Sequence, residues 1–303
     1  MREFVKYRSG DFEGEVTVVD HRSQRQHTSP TLSVIIPTLD GHRQGYFQNL
    51  LKQVDRQSFR DLETIIIKGD RRQGRAINKG ASLARGKYIL TLDDDTVLGH
   101  QDLFAKLVKA LEDNPQIGMA GVPNVVPEEA SWVVKHAMLE IPRRSSPMVR
   151  VTTRSDMAEH ACLIMRKDVF SRVGGENELI PRGLDPYLRQ TFREAGYDVV
   201  VIPDVYIHHL PPETFRKLVR QFFRNGKAAA YVNKFYPQWV YDLTTSHTDL
   251  VKSQVGWMRR LGRQVVRLAS GLVRLRFLYL ASQGSYLLGF LWGLVTLKDR
   301  KAL

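Results

Sequence analysis

Asp93, Asp94 and Asp95 stand in a row directly after the apolar run 88–92. Three neighbouring carboxylates repel one another and gain nothing from packing, so at the end of an apolar strand they demand a positive counterpart. Hard oxygen ligands suit Mg2+ or Mn2+, ions that keep part of their shell for substrate oxygens, and a cation bridging to a phosphate is the chemistry this pattern supports. Arg71, Arg72 and Arg75, after a second apolar run at 62–67, carry the right charge for a diphosphate or form a solvated face. Asp185 opens a helical stretch, where a carboxylate caps exposed N–H groups or accepts a proton. His208 and His209 precede Leu210-Pro211-Pro212. Cys162 is the single cysteine, which excludes an intramolecular disulfide framework and a thiolate metal cluster and fits a reducing compartment.

The elements that must position these groups follow from hydropathy. Residues 32–36, 62–67 and 88–92 are apolar runs of the kind found in buried strands, and 46–54 and 75–84 between them carry helix-period apolar positions. A helix at 102–111 and strands at 117–122, 161–165 and 199–202 extend the alternation, with a helix at 184–195 closed by Gly196. The expected class is α/β, a mixed sheet flanked by helices, with ligands gathered at the carboxyl ends of strands. Residues 1–30 read as a polar, mobile lead-in without an export segment, carrying a short strand at 16–19. The stretch from 123 to 147 carries no assignable pattern.

In order along the chain, these pieces resemble a family 2 glycosyltransferase of the GT-A, Rossmann-like fold. The resemblance is carried by Ser33-Val34-Ile35-Ile36-Pro37-Thr38, Ala76-Ile77-Asn78-Lys79-Gly80, Ala84-Arg85-Gly86-Lys87-Tyr88 and Leu92-Asp93-Asp94-Asp95 at the DxD position. It continues through Val173-Gly174-Gly175, Asp185 with Arg189, Gly196-Tyr197, Pro203 and His208. It implies inverting, metal-dependent transfer of a sugar from a nucleotide-diphosphate sugar. Asp185 would be the general base, its pKa lifted towards neutrality by partial burial. Pro37, Thr38, Asp70, Asn78, Asp93, Asp94 and Arg224 would hold the donor, and Asp95 with His208 would hold Mn2+ or Mg2+. The sequence departs from the family at Lys68-Gly69-Asp70-Arg71-Arg72, where an Asp-Asp-Gly-Ser run is common, and at Leu184-Asp185, where a Glu-Asp pair is frequent.

Charge separates the C-terminal third from the rest. Residues 213–303 hold 16 Lys and Arg against four acids, whereas the first 212 residues hold 29 against 28. Residues 213–231 read as a basic amphipathic helix, packed with a solvated basic face; the resemblance implies that this segment closes over the donor, where Gln221 and Arg224 could reach its phosphates. At 100° per residue, Leu261, Val265, Leu268, Leu272 and Leu275 fall within about 80°, opposite Arg259, Arg260, Arg263, Arg267 and Arg274, the pattern of a helix in a membrane interface. Residues 277–297 carry no formal charge and span about 31 Å as a helix, but hold Ser282, Gln283, Gly284, Ser285, Gly289 and Gly293, so they cross a bilayer, form a re-entrant or interfacial hairpin, or pack as an interface helix. The expected organisation is a lead-in at 1–30, a GT-A catalytic domain at 31–212, a donor-closing segment at 213–250 and membrane-associating helices at 251–303.

The expected protein works at the cytoplasmic face of the cell membrane, on a lipid-linked or polysaccharide acceptor, against an anionic membrane surface. No nucleic-acid partner is expected, and oligomerisation is left open. The alternatives are a sugar-phosphate nucleotidyltransferase and a non-enzymatic anionic-lipid or nucleic-acid binding module. The first lacks its early Gly-rich signature. The second leaves the Asp93–Asp95 cluster, which repels polyanions, without a purpose.

Overall fold

The computed structural model describes residues 4–22, 29–241 and 257–300. Part of the lead-in (23–28), the expected boundary at 250/251 and the side chains of Arg259, Arg260 and Leu261 lie outside the described residues. In chain order the elements begin with β1 (Glu15–Asp20), β2 (Leu32–Thr38), α1 (Tyr46–Asp55), β3 (Leu62–Lys68), α2 (Gln73–Leu83), β4 (Tyr88–Leu92), β5 (Thr96–Leu98), α3 (Leu103–Asp113) and β6 (Ile117–Gly121). There follow α4 (Trp132–Glu140), β7 (Thr153–Arg154), β8 (Cys162–Arg166), α5 (Lys167–Arg172), α6 (Asp185–Glu194), β9 (Asp198–Val201) and β10 (Ile207–His209). The last three are α7 (Phe215–Phe235), α8 (Trp257–Val273) and α9 (Phe277–Thr296).

The chain divides into two units. The first comprises residues 1–125 and 146–209, the second 126–145 and 210–303. Residues 126–145, unassigned from sequence, thus group with the C-terminal helices through α4.

The first unit is built on an eight-stranded sheet in the order β1-β3-β2-β4-β8-β6-β9-β7. Strand β2 runs parallel to β3 and β4, and β6 parallel to β9, while β8 is antiparallel to both β4 and β6. The continuous apolar runs are explained by burial on both faces. Leu32, Val34 and Ile36 pack with Leu50 of α1 and Leu107 of α3, whereas Ile35 packs with Ile77 of α2 and Leu188 of α6. Each such fully buried aliphatic side chain contributes about 1.5–3 kcal/mol.

The described part of the lead-in is docked, not mobile. Strand β1 extends the sheet edge antiparallel to β3, and the backbone N–H of Ser9 donates to Glu178 Oε2 at 2.9 Å, with Arg8 Nε 3.5 Å from Glu178 Oε1. Glu178 is buried and needs these partners, which a reading by hydropathy does not reveal.

In the second unit α9 packs along α7, and α4 and α8 pack on α9. The N-terminus of α9 is capped from α4, with the backbone N–H groups of Leu278 and Tyr279 donating to Glu140 Oε2 at 2.9 and 3.1 Å. The whole of α7 keeps helical geometry from a Thr214 cap whose side chain accepts from the Lys217 N–H.

Candidate active site

Strand β4 ends in a tight turn that returns as β5, the Thr96 N–H donating to the Asp93 carbonyl at 3.0 Å. Short strand β10 pairs antiparallel with β5, placing His209 opposite Thr96 and His208 opposite Val97. Alternation along β10 then sends the two imidazoles to opposite faces. His209 Nε2 lies 3.1 Å from Asp95 Oδ1 and 3.7 Å from Asp93 Oδ2. His208 turns away, its Nδ1 2.6 Å from the Val125 carbonyl. The structure therefore brings His209, and not the expected His208, to the carboxylates, because the strand pairing fixes which of the adjacent residues faces the turn.

Asp93, Asp95 and His209 offer ligand atoms all within 4.8 Å of one another, a set that fits a divalent ion. Two carboxylate oxygens and an imidazole nitrogen suit Mn2+, and carboxylates also suit Mg2+. Burial, with Asp95 and Asp185 nearby, pushes the Asp93 carboxyl up to about 6 against the opposing pull of His209. Asp95 goes the other way: burial would raise it, but His209 and Arg43 hold it well below the usual carboxylate range. Replacing the His209 imidazole (His209→Ala) should weaken Mn2+ binding at least about 10-fold, while His208→Ala leaves it within about twofold. Calorimetric Mn2+ titration of both variants checks this, and equal losses would overturn the assignment.

The remaining expected donor residues divide into contacts with the Asp turn and internal braces. Thr38 Oγ1 donates to Asp94 Oδ2 at 2.7 Å, tying the end of β2, just past Pro37, to the turn. Asp70 is committed to the start of α2: it accepts from the Arg72 N–H at 2.8 Å and from Arg75 Nε at 2.7 Å. Arg75 is thereby an ion-pair partner within the fold rather than a solvated cation. Asn78 is likewise used as a brace. Its Nδ2 donates to Glu178 Oε1 at 2.8 Å and to the Glu176 carbonyl at 3.0 Å, while its Oδ1 accepts from the Glu176 N–H at 2.9 Å. That close approach requires Gly175, whose φ is +73° and where a side chain would collide with the Asn78 amide. Arg224 belongs to the second unit, where it is exposed on α7, and Gln221 accepts there from Arg144 at 3.1 Å.

Several residues at the site have no sequence signal. Gln73 Nε2 donates to Asp93 Oδ1 at 2.8 Å. Arg43 Nη2 lies 2.6 Å from Asp95 Oδ2, on a loop whose backbone is turned by Asp40 Oδ1 accepting from the His42 and Arg43 N–H groups. His160 and Glu176, both buried, form an ion pair at 2.8 Å, and His160 Nδ1 lies 3.0 Å from Thr91 Oγ1.

Asp185 sits at the first turn of α6, and its Oδ1 accepts from the His160 backbone N–H at 2.8 Å. The buried Arg189, one turn on, donates to the Ala158 carbonyl at 2.7 Å, and Arg193 Nη2 lies 2.6 Å from the buried Asp156, so α6 grips the 156–160 segment at three points. Burial would raise the Asp185 pKa, but His160 and Arg189 outweigh it and hold the carboxyl below its ordinary value. This corrects the expected lift towards neutrality. These neighbours favour the charged carboxylate, which is the form a base requires.

The same network makes stability depend on pH. Burial opposes the His160 charge, yet Glu176 and Asp185 win and push its pKa up to about 9. Its proton is held more tightly in the folded chain than in the unfolded one, so the stabilisation is complete below about pH 6.5 and is lost as pH rises through about 9, at up to about 1.4 kcal/mol per pH unit. Urea unfolding of wild type and His160→Gln between pH 6.5 and 9.5 should show that slope only in wild type. Parallel profiles would refute it.

Residues 18–228 match the family model described as "Glycosyltransferase like family 2". The chain belongs to glycosyltransferase family 2. It is accordingly a glycosyltransferase, not the nucleotidyltransferase or non-enzymatic binding module that the sequence also allowed. Among solved structures the chain is similar to the mannosyltransferase PcManGT from Pyrobaculum calidifontis in complex with GDP-Man and Mn2+, at TM-score 0.55 and 13% identity, covering 90% of this chain and 89% of that one. That likeness agrees with a GT-A fold carrying a C-terminal helical extension. A weaker similarity is to residues 1–349 of S. aureus TarS in complex with UDP, at TM-score 0.45 and 12% identity, covering 86% and 89%. No curated protein matches the chain.

Proposed function

We propose that this family 2 enzyme is an inverting transferase moving a sugar from a nucleotide-diphosphate donor to a hydroxyl on a lipid-linked or polysaccharide acceptor at the cytoplasmic face of the cell membrane. The observation that carries the reading is the Asp93, Asp95 and His209 cluster at the end of β4, with Asp185 fixed in the same unit by the His160 backbone N–H at 2.8 Å. Asp185 takes the acceptor proton as the oxygen attacks the anomeric carbon and the bond to the diphosphate breaks. One base is sufficient, since the leaving diphosphate departs without a proton.

Asp93, Asp95 and His209 would hold Mn2+ or Mg2+, which supplies neutralisation of the charge growing on the diphosphate. PcManGT, solved with GDP-Man and Mn2+, supports a nucleotide sugar and that ion as the first pair to try. Asp94 and Thr38 shape the donor turn, and Arg43 stands on the exposed side of Asp95, positioned to meet donor phosphate oxygens. Asp70 and Asn78 support the donor side through the loops they brace. The anionic membrane surface is the partner proposed for the basic C-terminal third.

Purified protein incubated with a panel of nucleotide sugars and Mn2+ or Mg2+ should release nucleoside diphosphate from one of them. If no donor is turned over and none binds calorimetrically, the reading fails.

A further inference from the structure

We propose that α8 and α9 lie in the headgroup plane of an anionic bilayer, so that α9 rests on the membrane without crossing it. This rests on the membrane attachment proposed above and adds its mode and its contact residues.

By length and apolarity alone α9 is able to cross: it has 20 residues and a mean hydropathy of 1.2, and spans about 30 Å. Its inner face is already committed. Gly226 meets the Tyr286 carbonyl and Gly289 meets the Phe223 carbonyl so closely that neither position has room for a side chain, and a Cβ on Gly293 would lie 2.7 Å from that of Ala230. Ser285 Oγ donates to the Val219 carbonyl at 2.7 Å, and Lys234 Nζ donates to the Leu297 carbonyl at 2.8 Å. Helix α7 therefore accompanies α9 along most of its length, and α7 exposes Arg216, Lys217, Arg220 and Arg224. Carrying these charges into hydrocarbon is prohibitive, and leaving them behind means parting the glycine contacts.

The outer face of α9 is apolar and solvent-exposed, with Leu288, Leu291, Trp292 and Val295 each more than half exposed. Helix α8 turns Gln264 and Gly271 towards α9, where Gln264 Nε2 donates to Gln283 Oε1 at 2.7 Å and Gly271 lies against Tyr279. Of the expected stripe, Val265, Leu272 and Leu275 are exposed and Leu268 is half-buried, and Val266, Ala269 and Val273 are exposed as well, so the contact turns the apolar face of α8 only in part. Apolar stripes of this extent mark association surfaces.

Charge selects the occupant. Residues 257–297 contain six arginines and no acid. A second copy docking here would bring two segments of the same sign together, whereas anionic headgroups neutralise that charge while the stripes sink into the acyl boundary.

The test uses the full-length protein. Its native Cys162 is buried, so Phe277→Cys, Leu288→Cys and Val295→Cys can each be labelled with an environment-sensitive fluorophore. With vesicles of phosphatidylglycerol and phosphatidylcholine, all three labels should brighten, and dithionite added outside should bleach the labels at both 277 and 295. A label at one end protected until the vesicles are opened means that α9 crosses, and overturns the proposal. Labels unchanged by vesicles, whether or not the protein dimerises with rising concentration, also overturn it. Leu288→Asp with Trp292→Asp, both at exposed positions, should weaken vesicle binding at least 10-fold and leave nucleoside diphosphate release from the donor unchanged. Wild-type binding by that variant refutes the contact surface. Vesicle binding without donor turnover would instead fault the transferase reading and leave this one standing.

Discussion

Asp185→Asn is expected to lower the rate of sugar transfer by ~10² or more while donor affinity stays within about twofold. The amide keeps the shape of the carboxylate and still presents an oxygen to the His160 backbone N–H, so the α6 turn has little reason to move. What disappears is the group that receives the acceptor proton. Single-turnover transfer and calorimetric donor binding, measured on one preparation, separate chemistry from binding. Transfer near the wild-type rate would place the base elsewhere.

Asp95→Ala should remove the dependence of donor binding on divalent metal and weaken binding in Mn2+ by more than ~10-fold. Asp95 is the shared member of the cluster, its two oxygens facing His209 on one side and Arg43 on the other. Without it the diphosphate meets Asp93 and Asp94 with less positive charge to offset them. Donor titration with and without EDTA reads the effect directly, and a wild-type affinity indifferent to EDTA would sink the metal assignment.

The sheet was legible because its strands are buried on both faces, and burial on both faces writes itself as an unbroken apolar run. Asp93–Asp95 was legible for the complementary reason: charges at the end of such a run stand out. The choice between His208 and His209 was not, since neighbouring residues on a strand face opposite ways and only the β10–β5 register decides which meets the turn. Arg43, Gln73 and His160 meet the site across 52, 20 and 69 residues of chain and Glu176 meets Asn78 across 98, and no local pattern encodes those meetings. The docked lead-in escaped notice likewise, because its partner, buried Glu178, lies 169 residues beyond Ser9. For Asp185 the position was readable and the electrostatics were not: the sign of its shift depends on His160 and Arg189, which approach only in the fold.

The order β2-β4-β8-β6-β9 has a consequence during synthesis. Strand β4 leaves the ribosome with β2 and β3 already available, but its other neighbour, β8, follows some seventy residues later, and β6, though made earlier, pairs with β8 and β9 instead of β4. A nascent chain arrested between residues 93 and 161 therefore carries an open β4 edge whose three acids have Arg43, Thr38 and Gln73 at hand but not yet His209. Such fragments present the unpaired, apolar edge that invites strand exchange between chains. The β4 edge is covered once β8 has been made, whereas the Asp cluster acquires its histidine only when translation has passed β10.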